Sequence, residues 1–231
     1  MLHSPQFAVG AFLQERSWPY VARFDKARVL LAAGYIGAHD EDSREGRSLG
    51  AAFVRFLWQA LDAAPEADPA EVDELIRGAA ASAIAKSDMS LQLHIGMTLG
   101  LRRSKATWWF YNRGGATVIG CLGGHVERLI VPDTLYEDLV SQGVDVSSLD
   151  DDDITRDIQT RLLSVPRRDP GRLPYRSVDL APGDWVAAVT DCRVADALLE
   201  GTPPATALNL HHELAPNELI VRTHFFIRRW R

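Results

Sequence analysis

Side chains able to organise a cation gather at four places in this sequence: Asp40, Glu41 and Asp42 directly after His39; the run Asp150, Asp151, Asp152 and Asp153; Asp191 between Thr190 and Cys192; and His211, His212 and Glu213. Grouped carboxylates suit hard divalent ions, and imidazoles with carboxylates suit zinc. Each group also has a structural reading. The acidic run precedes a helical-looking stretch, 154–164, so its last carboxylates favour the positive end of that helix and the rest form a solvated loop. Asp40, Glu41 and Asp42 precede a helical pattern at 49–63 and read as caps on it. His211 and His212 point to opposite faces of a strand and reach one ion only with a distant third ligand. Asp191 reads as a cap on a helix over 193–200, with cation binding as its other role. Cys121 and Cys192 lack the spacing of a zinc site or a disulfide scaffold and read as small buried side chains.

The elements that must position these groups follow from the apolar periods. Runs of β-branched and aromatic residues at 29–33, 107–111, 116–119, 185–189 and 219–227 have strand length, many bounded by Gly or Pro. Phe53, Phe56, Leu57 and Leu61 share one side of 49–63, and Val72, Leu75, Ile76, Ala79 and Ala83 share one side of 70–86. Asp68 and Pro69 supply the cap and first position of the second helix, so the two form a helical hairpin. Further helices are expected at 133–142, stopping at Gly143, at 154–164, and at 193–200, stopping at Gly201. Pro182, Gly183 and Asp184 read as the turn of a β-hairpin between 176–180 and the strand at Trp185. Strands, a two-helix hairpin, more strands and a closing strand describe layered α+β rather than alternating βαβ.

Composition excludes whole classes. The 231 residues are 46% hydrophobic with 25 Lys+Arg against 31 Asp+Glu, which is too apolar for a disordered tail. A formal net charge of -6 disfavours nucleic acid as the main partner. The longest charge-free stretch, 1–14, falls short of the roughly 18 apolar residues of a membrane span, and the first residues lack a secretion signal, so a cytoplasmic protein is expected. We read residues 1–231 as a single domain. Arg222, Arg228 and Arg229 beside Trp230 read as a solvated edge, while Trp108, Trp109, Phe225 and Phe226 read as core.

Several segments, in order, resemble the metal-dependent protein phosphatases of the protein phosphatase 2C type. Leu139, Val140 and Gly143 resemble the family's Leu-Val-x-x-Gly helix end, and Thr160, Arg161 and Leu162 its Thr-Arg-x-Leu segment. The stretch 178–185 resembles the hairpin leading to the Ser-Asp-Gly strand end, here Thr190, Asp191 and Cys192. Upstream, 96–99 is similar to Gly-Thr-Thr-Leu, 112–118 to Asn-x-Gly-Asp-Ser-Arg-Ala, and 31–39 to x-Ala-x-Asp-Gly-x-Gly-Gly-His. The resemblance covers nearly the whole chain. It implies a central β-sandwich of two antiparallel sheets flanked by helix pairs, a four-layer α-β-β-α arrangement.

The same resemblance implies hydrolysis of phosphoserine and phosphothreonine with two Mg²⁺ or Mn²⁺ ions, which need several carboxylates. The bridging carboxylate matches Gly34, and the ligating Gly after it matches Tyr35. The first-strand acid falls near Tyr20, beside Trp18 and Pro19, with Arg16 out of step as a phosphate-binding Arg; the acid of Gly-Asp-Ser-Arg matches Gly115 and its Arg matches Thr117; the last Asp-Asn pair matches Pro216 and Asn217. Asp191 alone survives as a metal ligand of the family's set. One anionic ligand does not offset four positive charges, so a binuclear centre is not expected and no cofactor is expected.

Two functions remain. The first is a catalytically silent phosphatase-like domain in bacterial-type phosphosignalling that binds a protein partner, such as a phosphoprotein or a kinase. The second is an active phosphatase or related phosphohydrolase that uses Mg or Mn on atypical ligands such as Asp40, Glu41 and Asp191.

Overall fold

The computed structural model describes residues 6–8, 20–24, 27–36, 44–86, 93–149, 155, 158–164, 172–190, 192–203 and 224–228. They form two antiparallel sheets and four helices. The first sheet runs β2 (Tyr20–Phe24), β3 (Arg28–Ile36), β4 (Leu93–Arg102), β5 (Thr107–Arg113) and β9 (Tyr175–Asp179), with the short β8 (Leu163–Ser164) also on β4. The second runs β1 (Gln6–Ala8), β11 (His224–Arg228), β10 (Trp185–Val189), β6 (Thr117–Leu122) and β7 (His125–Ile130).

Strand alternation sorts the side chains into layers. Leu30 and Ala32 of β3 join Phe53, Leu57 and Ile76 beneath α1 (Arg44–Ala63) and α2 (Pro69–Ala85). Val29 and Leu31, pointing the other way, join Trp108, Phe110, Val118 and Val186 between the sheets. On the far face, Ile119, Ala187 and Val189 pack against Val194, Ala195 and Leu198 of α4 (Cys192–Leu199). The expected α-β-β-α order is therefore built, and each fully buried large side chain such as Phe53 contributes roughly 1.5–3 kcal/mol.

Local signals explain the helix boundaries. Asp68 closes a capping box: its carboxylate accepts from Ala70 N and Glu71 N, and the Glu71 carboxylate accepts from Asp68 N, with Pro69 in the first turn. Thr134 caps α3 (Leu135–Ser141), and Gly143 and Gly201, at φ 74° and 90°, follow α3 and α4 in the left-handed conformation that ends helices.

Two expectations of secondary structure fail. The stretches 176–180 and 185–189 are not a hairpin: β9 pairs with β5 and β10 pairs with β6 and β11, so Pro182, Gly183 and Asp184 carry the chain from one sheet to the other. Val178, Leu180, Val186 and Ala188 all enter the core between the sheets, so the two strands face each other across the sandwich. The Asp184 carboxylate fixes this arch by accepting from Ala181 N at 2.8 Å and from Gly123 N of the β6–β7 turn at 2.9 Å. Nor do the described residues of 154–164 form the expected helix. Gln159 bridges to Thr134, Leu163 and Ser164 pair with Ile95 and His94, and the Ile158 carbonyl accepts from Leu135 N. Tertiary pairing has taken the backbone groups that a helix would have used.

Candidate functional site

Most of the segments quoted for the resemblance meet at one end of the sandwich, around the β5–β6 turn, whereas 178–185 forms the arch beside the β6–β7 turn. Thr98 stands opposite Asn112, and its hydroxyl donates to Asn112 Oδ1 at 2.6 Å. Asn112 Nδ2 donates to the Ala116 carbonyl at 2.8 Å and so ties the turn. Both side chains are buried, at 2% and 0% exposure, so each bond satisfies a group that water cannot reach. The turn needs Gly114: its φ is 108°, and a β-carbon there would lie 2.6 Å from Gln159 Oε1.

Beside this turn is a charge cluster. Arg113 and Asp133 are buried and paired at 3.6 Å, and Asp133 accepts from Gly114 N at 3.2 Å and from Arg161 at 3.5 Å. Arg161 also bonds Asp138 of α3 at 2.9 Å. Burial pushes the Asp133 carboxyl above its usual range, and Arg113, the Gly114 amide and Arg161 oppose that push without cancelling it. Both arginine contacts are long, which explains why desolvation prevails. Sequence reasoning missed this cluster, although Arg113 lies inside the quoted 112–118 segment and Arg161 inside the Thr-Arg-x-Leu segment.

A groove of about 240 Å³ opens between α3 and α4, lined by Gly115, Thr117, Thr134, Thr190, Arg128 and Tyr136 among others. It therefore touches two positions, 115 and 117, where the resemblance calls for an acid and an Arg. The hydroxyl of Thr134 is already engaged at Glu137 N, and Arg128 pairs with Glu137 at 2.8 Å and Asp196 at 3.9 Å. The recess is thus polar but internally neutralised.

The end of β3 is closed. Gly34 is buried against α1: a β-carbon there would collide with the Gly46 carbonyl oxygen and lie 2.9 Å from Leu49 Cβ and 3.0 Å from Gly50 N. Position 34 also has the parity of Leu30 and Ala32, which face the helices, and not that of Val29 and Leu31, which face the other sheet. Tyr35 continues β3 opposite His94, and Tyr20 begins β2 opposite Ala33. Asp191 lies outside the described residues, between Thr190 at the end of β10 and Cys192 at the start of α4. Arg16, Trp18, Pro19, His39, Asp40, Glu41, Asp42, Asp150–Asp153, His211, His212, Glu213, Pro216 and Asn217 also lie outside them, as do Arg222, Arg229 and Trp230. Trp108 is core, whereas Trp109 is partly exposed on the helix side and Cys121 is half-buried rather than enclosed.

No family model and no curated protein matches the sequence. Solved structures do. The chain superposes on the PPM Ser-Thr phosphatase MsPP of Mycobacterium smegmatis with a TM-score of 0.66 at 16% identity, covering 98% of this chain and 97% of that one. It superposes on the serine/threonine phosphatase PstP/Ppp of Mycobacterium tuberculosis with a TM-score of 0.65 at 15% identity, covering 98% and 97%. The chain has the PPM phosphatase fold. A third match is PppA, a regulatory component of the type VI secretion system of Pseudomonas aeruginosa, with a TM-score of 0.62 at 14% identity, covering 97% and 95%. The catalytic domain of PstP has been solved in complex with two manganese ions.

The described residues of this PPM fold do not fit such a pair of ions. Positions 34 and 115 are glycines, the first with no room for a side chain, and Asp133 is committed to two arginines. Among the described residues there is no group of three His, Cys, Asp or Glu that could hold a metal. Bound Mg²⁺ or Mn²⁺ would supply an activated water for attack on phosphorus. Of the described carboxylates near the β5–β6 turn, Asp133, Glu137 and Asp138 are each already paired with arginine.

Proposed function

We propose that this PPM-fold chain, read as one domain over 1–231, is a catalytically silent phosphatase-like protein of the cytoplasm that works by binding another protein, a phosphoprotein or a kinase, in bacterial-type phosphosignalling. The observation that carries the reading is the end of β3, where α1 lies so close to Gly34 that a bridging carboxylate has no space. Support also comes from Gly115 and Thr117, which leave the groove between α3 and α4 without the acid and Arg of the resemblance. The similarity to PppA, described as a regulatory component, supports a regulatory setting. The acidic balance of the chain argues against nucleic acid, and no helix among the described residues is long and apolar enough to cross a membrane.

The test is hydrolysis of p-nitrophenyl phosphate by the full chain with manganese, alongside calorimetric titration of manganese. The expected outcome is turnover at background and no binding isotherm. Manganese-dependent turnover that Asp191→Ala abolishes would establish the other reading, an active phosphohydrolase on atypical ligands that include Asp191.

A further inference from the structure

A groove of about 960 Å³ lies where the α1–α2 connector and the first turns of α2 meet Arg172, whose carbonyl accepts from Arg113 at 3.4 Å. Its floor is apolar, with Ala64, Pro65, Ala67 and Leu75, and its lining carries four carboxylates, Glu66, Glu71, Asp73 and Glu74, against the single guanidinium of Arg172. Two of the four are engaged. Asp73 accepts from Arg77 at 3.1 Å and from Leu173 N at 3.4 Å, and Glu71 closes the capping box on Asp68 N. Glu66 and Glu74 are exposed, and neither forms an ion pair among the described residues.

The walls are held in place beforehand. Arg103 donates to the Pro65 carbonyl at 2.9 Å and to the Ala67 carbonyl at 3.0 Å, which pins the connector to the first sheet. The same guanidinium lies 4.5 Å above Trp109, which meets Tyr175 edge-on; Tyr175 in turn stacks on Tyr111 at 5.4 Å. Tyr175 is 46% exposed, and it follows closely after Arg172 and Leu173. The Tyr111 hydroxyl is buried and has no hydrogen-bond partner, and it lies in the field of Asp73 and Asp68. An acidic rim, an apolar floor and an aromatic face open to cations therefore adjoin one another.

We infer that this groove docks a basic segment of a partner protein, with Lys or Arg side chains against Glu66, Glu74 and the Tyr175 face and apolar side chains on the Ala64–Pro65–Ala67 floor. The inference rests on the protein-binding reading above. Charge complementarity selects the occupant: a fixed surface with unpaired carboxylates attracts cations from solution, and a preorganised wall costs little ordering on binding.

The experiment is fluorescence anisotropy on the full chain with a short labelled peptide of alternating Lys and Leu, beside the same peptide with Glu for Lys. The Lys peptide is expected to bind and the Glu peptide not to. Glu66→Lys with Glu74→Lys should weaken binding about tenfold, and Tyr175→Ala about threefold. The equal charge change Glu127→Lys on β7 with Glu200→Lys just past α4 should leave it within about twofold. Far-UV circular dichroism on each variant confirms that the fold is retained, as expected for exposed Glu66 and Glu74. Equal weakening by both double variants, or no preference for the Lys peptide, would overturn the groove. Because no metal enters this assay, manganese-dependent turnover could remove the silent reading while the docking result stood.

Discussion

The β5–β6 turn and the end of β3 belong to the same end of one sandwich, yet they treat polar chemistry in opposite ways. At the turn, Thr98, Asn112 and the Ala116 carbonyl keep a buried hydrogen-bonded set, and Arg113 and Asp133 keep a buried pair. At the end of β3, the corresponding position is a glycine pressed under a helix backbone. The contrast teaches which residues a fold defends. A buried polar group that loses its partner costs free energy whether or not the protein has a reaction to perform, so stability by itself favours keeping the turn's network. A ligand carboxylate has no such protection. Without ions its charge is a burden, and replacing it by glycine lets neighbouring elements close in.

Three substitutions put this contrast to the test. The largest effect is expected from Gly34→Asp, which sets a charged side chain against Gly46, Leu49 and Gly50 of α1; stability should fall by more than about 4 kcal/mol, read by urea unfolding. A folded Gly34→Asp chain that binds manganese would instead show that α1 yields easily. Asn112→Ala should cost about 3 kcal/mol in the same measurement, because it orphans both the Thr98 hydroxyl and the Ala116 carbonyl; a loss under about 1 kcal/mol would mean that the network is not what holds the turn.

The smallest effect is a pH dependence at Asp133. Its carboxyl is held above its usual range by burial, so the folded chain binds that proton more tightly than the unfolded chain does. Its contribution to stability should therefore grow as pH falls through the folded pKa and level off below the unfolded value, about 4. The stability difference between the parent and Asp133→Asn should shift in the parent's favour on going from neutral pH to about pH 4. A shift the other way would show that Arg113 and Arg161 dominate burial.

Much of the scaffold was legible because its signals are local. The periodic faces of α1 and α2, the Asp68 cap and the dense run at Trp185–Val189 need no distant partner to be read. β4 escaped because it is buried along nearly its whole length and so lacks alternation; its Gly100 leaves room for Phe110, whose ring would stand 3.1 Å from a β-carbon there. β7 escaped because His125, Glu127 and Arg128 give an edge strand the look of a loop. The crossing of β9 to β10 was hidden because a Pro-Gly-Asp turn serves a hairpin and an arch equally well, and only the shared core of Val178 and Val186 decides. At the site, the resemblance could set Gly34 and Gly115 against the family's carboxylates, whereas the closeness of α1 to Gly34 and the pairing of Asp133 with Arg161, 28 residues away, depend on segments that meet only when folded.

The outer edge of the second sheet places Gln6 opposite Arg228 and Phe7 opposite Ile227. That ribbon pairs segments far apart in the sequence, so forming it is a long-range closure of the kind that makes β-rich chains slow to mature. Without β11, β10 would present an unpaired margin next to β6, the kind of edge that invites pairing with another strand.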